Sequence, residues 1–137
     1  MNNFQIKRNE LKISDSVVVA FDYEISEVMY LSGIYIVLLN IPVGVDEIDN
    51  IYGVVSSGDI VWRVENPKKT FELDENTQGF EYYTKSVYKG INSDDKEILS
   101  GTTFFGMKYI IDHKTGKLLK KEYLHWCDCQ VEVSHFR

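Results

Sequence analysis

The sequence predicts an all-β fold, an antiparallel meander of about eight to ten strands, and three observations carry that expectation. Apolar positions alternate more often than they follow the helical period. The apolar runs are rich in Val, Ile, Tyr and Phe, side chains that fit a pleated, half-buried surface. Between consecutive runs stand short steps of Gly, Ser, Asn and Asp, of hairpin length.

Taken in order, residues 4–21 supply one or two strands at the front. Residues 24–31 and 34–41 flank Ser32-Gly33, a two-residue step suited to a tight hairpin. Residues 51–55 and 60–65 flank Ser56-Ser57-Gly58-Asp59, with Ile60, Trp62 and Val64 on one face and Trp62 in the core. Beyond a polar stretch with Pro67, Lys68 and Lys69, residues 80–88 alternate weakly and pair with 98–105 across Asn92-Ser93-Asp94-Asp95. Residues 107–111 and 117–124 form the last hairpin. Helix is confined to residues 46–50, to 66–76 and to the C-terminal tail. A meander of this kind curls into a partial barrel or a two-layer sandwich.

The last hairpin turns at Asp112-His113-Lys114-Thr115-Gly116. A type I turn followed by a left-handed residue wants Asp, Asn or Ser early and Gly late, where positive φ carries no Cβ penalty. The Asp112 carboxylate is placed to accept the loop's free N–H groups. The motif is therefore read as backbone chemistry. Ser56-Ser57-Gly58 meets the same demand, and Gly58 and Gly116 stand 58 residues apart, each between two strands, which suggests an internal duplication.

Asp112-x-x-Thr115-Gly116 and Gly58-x-x-x-Trp62 resemble the two halves of the Asp-x-x-Thr-Gly-x-x-x-Trp pattern of quinoprotein-type β-propeller repeats. Neither copy is complete. Lys120 stands where one would need its Trp, and Val55 where the other would need its Asp. The resemblance implies blade-like hairpins and carries over no quinone, sugar or metal site.

At 137 residues, with 44% apolar and 26% charged, residues 1–137 are read as a single β-rich domain. No stretch approaches the ~20 apolar residues that span a bilayer, and the N-terminus lacks a secretory h-region, so a cytoplasmic location is expected. Cys127 and Cys129 are too close in sequence for an unstrained disulfide and are read as free thiols, which suits a reducing compartment. A net charge of −6 argues against a generic nucleic-acid binder, which needs a basic stripe.

Catalytic signatures are absent: no Gly-x-Ser-x-Gly, no phosphate-cradling loop, no carboxylate pair singled out by spacing. His125, Cys127, Cys129 and His135 carry the softer ligands of the tail, with His113 in the turn. Tetrahedral zinc usually takes Cys pairs separated by about two to four residues, which Cys-x-Cys does not match. No catalytic residue, metal or cofactor is assigned.

What remains is surface. Asp46, Glu47 and Asp49 fall in one loop and Glu72, Asp74 and Glu75 in another, without apparent core role, and both suit the steering of a basic protein partner. Tyr82, Tyr83 and Trp126 are candidate anchors, since Tyr and Trp are enriched at binding hot spots. In its short, acidic, single-domain character the chain resembles the small bacterial proteins that act as immunity partners of toxins. The function expected is therefore protein binding, as an intracellular immunity or inhibitor protein covering a basic toxin, such as a nuclease, with no direct nucleic acid and no membrane. A small-ligand β-barrel is the alternative, and an enzyme using the His/Cys tail the third reading.

Overall fold

The computed structural model describes residues 3–123, apart from the side chain of Tyr82. Among these residues eleven strands form three antiparallel sheets in chain order, of three, four and four strands. The first holds β1 (Gln5–Lys7), β2 (Glu10–Ser14) and β3 (Val17–Ala20). The second holds β4 (Ile25–Leu31), β5 (Ile34–Leu39), β6 (Ile51–Val55) and β7 (Ile60–Arg63). The third holds β8 (Tyr88–Ser93), β9 (Leu99–Thr103), β10 (Met107–Ile111) and β11 (Leu118–Tyr123). Every neighbour in each sheet is also a neighbour in sequence, so the described residues form a meander throughout.

The strand β5 decides how the sheets are arranged. Its sequence Ile-Tyr-Ile-Val-Leu-Leu is buried at all six positions. Successive side chains of a strand point to opposite faces. Ile34, Ile36 and Leu38 accordingly enter a core shared with the third sheet, against Leu99, Met107, Tyr109 and Ile111. Tyr35, Val37 and Leu39 enter a second core shared with the first sheet, against Leu11, Ile13 and Val19. The second sheet is therefore the middle of three layers. The expected antiparallel, mostly β class is what the chain adopts, but in three layers rather than two, and no barrel closes among the described residues. The outward face of the first sheet is mostly polar. The registers Gln5↔Lys12↔Val18 and Lys7↔Glu10↔Ala20 put four polar side chains beside Val18 and Ala20, as suits the end layer of a stack.

Three local expectations need correction. Residues 80–88 are not a strand: α2 (Phe80–Thr84) is followed by β8, which starts only at Tyr88. Gly79, at φ 78°, turns the chain into this helical stretch, and tertiary packing overrides the β-preference of its aromatics. Residues 46–50 form no helix, because Asp49 takes φ 57°, outside the helical region. The strand expected over 98–105 ends at Thr103, since Phe104 to Gly106 make the next turn. In the 66–76 stretch helix does form, as α1 (Pro67–Thr70), with Asn66 as its cap accepting from the Lys68 N–H at 2.9 Å and Pro67 in the first turn.

The turns follow backbone chemistry. Ser32 and Gly33 both take positive φ, 48° and 88°, as a two-residue hairpin turn requires. Asp112 accepts the Lys114 N–H on its carboxylate at 3.0 Å, and its carbonyl accepts Gly116 N–H at 2.7 Å. Gly116 sits at φ 78°, and a Cβ there would lie 2.6 Å from Trp62 Cε3. Gly116→Val is thus expected to cost more than the ~1–3 kcal/mol of a strained backbone alone. Equilibrium urea unfolding measures it, and an unchanged midpoint would mean that Gly116 does not pack against Trp62.

That contact joins the sheets. Trp62, on β7, lies with its ring against Gly53 of β6 and Gly116 of the third sheet, its Nε1 donating to the His113 carbonyl at 2.8 Å. Glu65 N–H donates to the Gly116 carbonyl at 2.9 Å beside it. The Asp-x-x-Thr-Gly turn and the Trp, which the sequence places on different hairpins, therefore meet in space. The first interface repeats the plan: Val17 of β3 packs on Gly58, where a Cβ would stand 2.9 Å from its Cγ1. In both, the last strand of one sheet rests on a turn glycine of the next.

Candidate functional site

Two equivalent connections, each joining the second and third strand of its sheet, lie side by side along one edge of the second and third layers. In the second sheet this is residues 40–50. Ile41 is buried and holds its start, the Val45 N–H donates to the Pro42 carbonyl at 3.2 Å, and Gly44 turns at φ 90°. This tight turn lifts Val43 to full exposure, 103%. In the third sheet the connection is Phe104-Phe105-Gly106, with the Gly106 N–H donating to the Thr103 carbonyl at 3.1 Å and Gly106 at φ 88°. Phe104 is left 63% exposed, edge-on to Phe105 at 5.4 Å.

Between them runs an open groove of about 250 Å³. Its apolar lining includes Ile41, Val43, Val87 and Phe104. Lys85 and Lys89 border it, the Lys89 ammonium lying 6.0 Å from the centre of the Phe104 ring. Clustered exposed apolar side chains rimmed by charge mark interaction sites more often than scattered ones do. One residue holds both walls. Asn50, buried, donates from Nδ2 to the carbonyls of Leu39 at 2.8 Å and Tyr88 at 3.0 Å, while its Oδ1 accepts the Tyr88 N–H at 2.9 Å.

The acidic residues of the two loops divide into two kinds. Asp46 is exposed. Glu47 accepts from Arg63 Nη2 at 3.1 Å, and the same guanidinium donates to the carbonyls of Ile48 and Asp49 at 2.7 and 3.0 Å. Asp49 accepts from Asn66 Nδ2 on both oxygens. Burial raises the Asp49 carboxyl above the usual range, against the lowering influence of the Asn66 bond and the Arg63 charge. Glu47 and Asp49 are expected to have no core role, and neither is in the core, yet both hold local structure, tying the loop to β7 and to the cap of α1. Asp74 is occupied as well, its Oδ1 accepting the Asn76 N–H at 3.0 Å, whereas Glu72 and Glu75 are exposed.

Tyr83 is half-buried rather than presented on a strand: its carbonyl accepts the Tyr109 hydroxyl at 2.7 Å, and Lys121 lies 5.2 Å from its ring. Burial raises the Tyr109 phenol well above its ordinary range. The side chain of Tyr82 is not described, and Trp126, His125, Cys127, Cys129 and His135 lie outside the described residues. Among the described residues no cluster of three His, Cys, Asp or Glu stands ready for a metal, and no helix is long and apolar enough to cross a membrane. Sequence reasoning missed Val43, Phe104, Lys85, Lys89 and Asn50. The signals were Pro-Val-Gly-Val at 42–45 and Phe-Phe-Gly at 104–106, apolar residues set inside turn chemistry.

Residues 1–123 match a family described as Domain of unknown function (DUF7957). The chain belongs to this family. No curated protein matches it. Among solved structures it is similar to the computationally designed Ika8 protein, crystal packing No.1 in P63, with a TM-score of 0.51 and 12% identity over 89% of this chain and 36% of that one. The chain thus spans about a third of that protein's length, and at this identity the likeness concerns the fold alone.

Proposed function

We propose that this member of the family is a protein-binding module that docks through the edge of the stack carrying residues 40–50 and 104–106. The observation that supports this most is the groove itself, where Val43 and Phe104 are held in the open by tight turns on a rigid three-layer frame. Rigid, exposed apolar anchors cost little ordering entropy on binding. Asp46, on the connection that forms one wall, and Glu72 and Glu75, on the 64–87 connection, add exposed negative charge. In its most concrete form the module is an immunity or inhibitor protein whose carboxylates steer a basic toxin and whose apolar rim then seats it.

The small-ligand barrel is disfavoured by its geometry, since the described sheets do not close and the two cores between them are filled with side chains. The docking reading is tested on whichever protein co-purifies from native lysate. Association should slow several-fold as ionic strength rises, and Asp46→Lys with Glu72→Lys and Glu75→Lys should slow it at low salt with the thermal midpoint unchanged. Glu47, Asp49 and Asp74 are left intact because they hold their loops. An on-rate indifferent both to salt and to the triple change ends the steering idea.

A further inference from the structure

The groove between the 40–50 connection and the 104–106 turn has a charge opposite to that of the protein. The charged residues lining it are Lys85 and Lys89, in a chain whose net charge is −6. Lys85 is exposed: its ammonium lies 6.0 Å from the centre of the Phe80 ring, and its ion-pair partner is the exposed Glu81 at 3.9 Å, a kind of pair that contributes little and is readily exchanged. Among the described residues no carboxylate lies within ion-pairing distance of Lys89. Ser86 stands between them in sequence and also borders the groove, and its buried hydroxyl oxygen has no hydrogen-bond partner among the described residues. The rest of the lining is largely apolar and includes Ile41, Val43, Val87 and Phe104, the last lying beside Lys89.

An occupant that satisfies both sides carries a carboxylate and an apolar group close together. At about 250 Å³ the groove is smaller than the ~300–1,000 Å³ pockets that enclose whole small ligands, and has room for about one residue. An internal Asp or Glu brings a carboxylate but needs a second residue to supply the apolar group. The last residue of a polypeptide brings both, since its carboxylate and its side chain share one Cα, and capture of such ends is an established mode of recognition.

We propose that the groove captures the carboxyl terminus of a partner protein whose final residue is apolar, the side chain lying on Val87, Ile41 and Phe104 and the carboxylate between Lys85 and Lys89. This rests on reading the same edge as a protein-docking surface, and it names the part of the partner that is held.

The test uses the full chain, isotope-labelled, and a pool of acetylated tetrapeptides, random at three positions and ending in Leu or Phe as the free acid. The same pool as C-terminal amides and hexanoate alone are the comparisons. The free-acid pool should shift the amide signals of Val43, Ser86, Val87, Lys89 and Phe104 saturably. The amidated pool should bind at least tenfold more weakly. Lys89→Gln and Lys85→Gln, both at exposed positions, should each weaken the free-acid pool at least fivefold with unchanged thermal midpoints.

Equal binding of the amidated pool would show a groove for apolar side chains only and overturn the proposal. So would hexanoate binding as tightly as the peptides, which would mark a site for free acids, and so would the absence of any shift. If the peptides fail while a partner's on-rate still depends on Asp46, Glu72 and Glu75, terminus capture falls and the docking reading stands. If the peptides bind through Lys89 while on-rates ignore salt, the steering idea falls and the captured terminus remains.

Discussion

Trp62→Ala is expected to destabilise the protein by about 3–5 kcal/mol, the range of large-to-small changes at buried aromatic sites. The ring is 7% exposed and fills the space between Gly53 and Gly116, two positions where any Cβ would collide with it. Both glycines are thus small so that the indole can lie flat against backbone. Its removal empties the space between these two glycines, and the His113 carbonyl loses the Nε1 donor at 2.8 Å. Trp62→Phe separates the two contributions, keeping most of the ring and removing the donor. The net worth of one hydrogen bond, about 1 kcal/mol, is then the part expected from the donor, with a further loss for the smaller ring.

Urea titration reads both variants, with the slope unchanged if the native fold is retained. A cost below about 1 kcal/mol for Trp62→Ala would mean that the second and third sheets are held together elsewhere, through the aliphatic core alone. Because Trp62 and Gly116 touch, Gly116→Val and Trp62→Ala should also be non-additive, the double variant losing less than the sum of the two.

Much of the fold was legible because hairpins are local. Ser32-Gly33, Gly58 and Gly116 announce their turns by the positive φ that each position needs, and the strands on either side follow. What lay beyond the sequence pattern was stacking. The unbroken apolar run of β5 signals burial on both faces, and with it a middle layer, but an unbroken run also fits other buried elements until its neighbours are known. The 64–87 connection was misread for a related reason. Phe80 and Tyr83 have the composition of a strand, yet Tyr83 meets Tyr109 and Lys121, and Phe71 stacks on Tyr109 at 6.3 Å, partners at least 26 positions away that no local window contains.

The candidate site was less legible still. Acidic loops stand out in composition, so they drew attention; but Glu47 and Asp49 prove to be struts held by Arg63 and Asn66. Val43 and Phe104 did not stand out, because an apolar residue in a sequence reads as core. Their exposure comes from turns that lift them off the sheets, and the groove exists only because the equivalent turns of two stacked sheets are adjacent.

Replacing Asn50 is expected to cost nearly as much as replacing Trp62, and to reach the groove as well. The Asn50 side chain is 2% exposed and makes three hydrogen bonds, two donated and one accepted, all to main chain. It behaves toward Tyr88 as a peptide unit of a neighbouring strand would, and so joins the end of β5 to the start of β8. Asn50→Ala leaves the Tyr88 N–H and two carbonyls buried without those partners, each unsatisfied group costing about 1–3 kcal/mol, so a loss of about 3 kcal/mol or more is expected. Asn50→Asp keeps the acceptor and replaces the donor with an oxygen facing two carbonyls.

Burial and those carbonyls both penalise the charged form, so the introduced carboxyl should have a folded pKa above its unfolded value. A group shifted in that direction adds no penalty below its unfolded pKa and a growing one as pH rises toward its folded pKa. Asn50→Asp should accordingly come closest to the parent near pH 4 and fall furthest behind at neutral pH, while Asn50→Ala should trail by the same margin at both. Chemical unfolding at the two pH values checks the pattern, and a pH-independent deficit for Asn50→Asp would place its carboxyl in water rather than between the sheets. The consequence for binding is direct. Val43 lies on the connection that ends at Asn50, and Val87 and Lys89 flank the Tyr88 that Asn50 holds, so loosening this one amide lets the apolar and the cationic wall of the groove drift apart. Peptide affinity at the groove should therefore fall in Asn50→Ala at temperatures where the protein is still folded, although Asn50 itself does not line the groove.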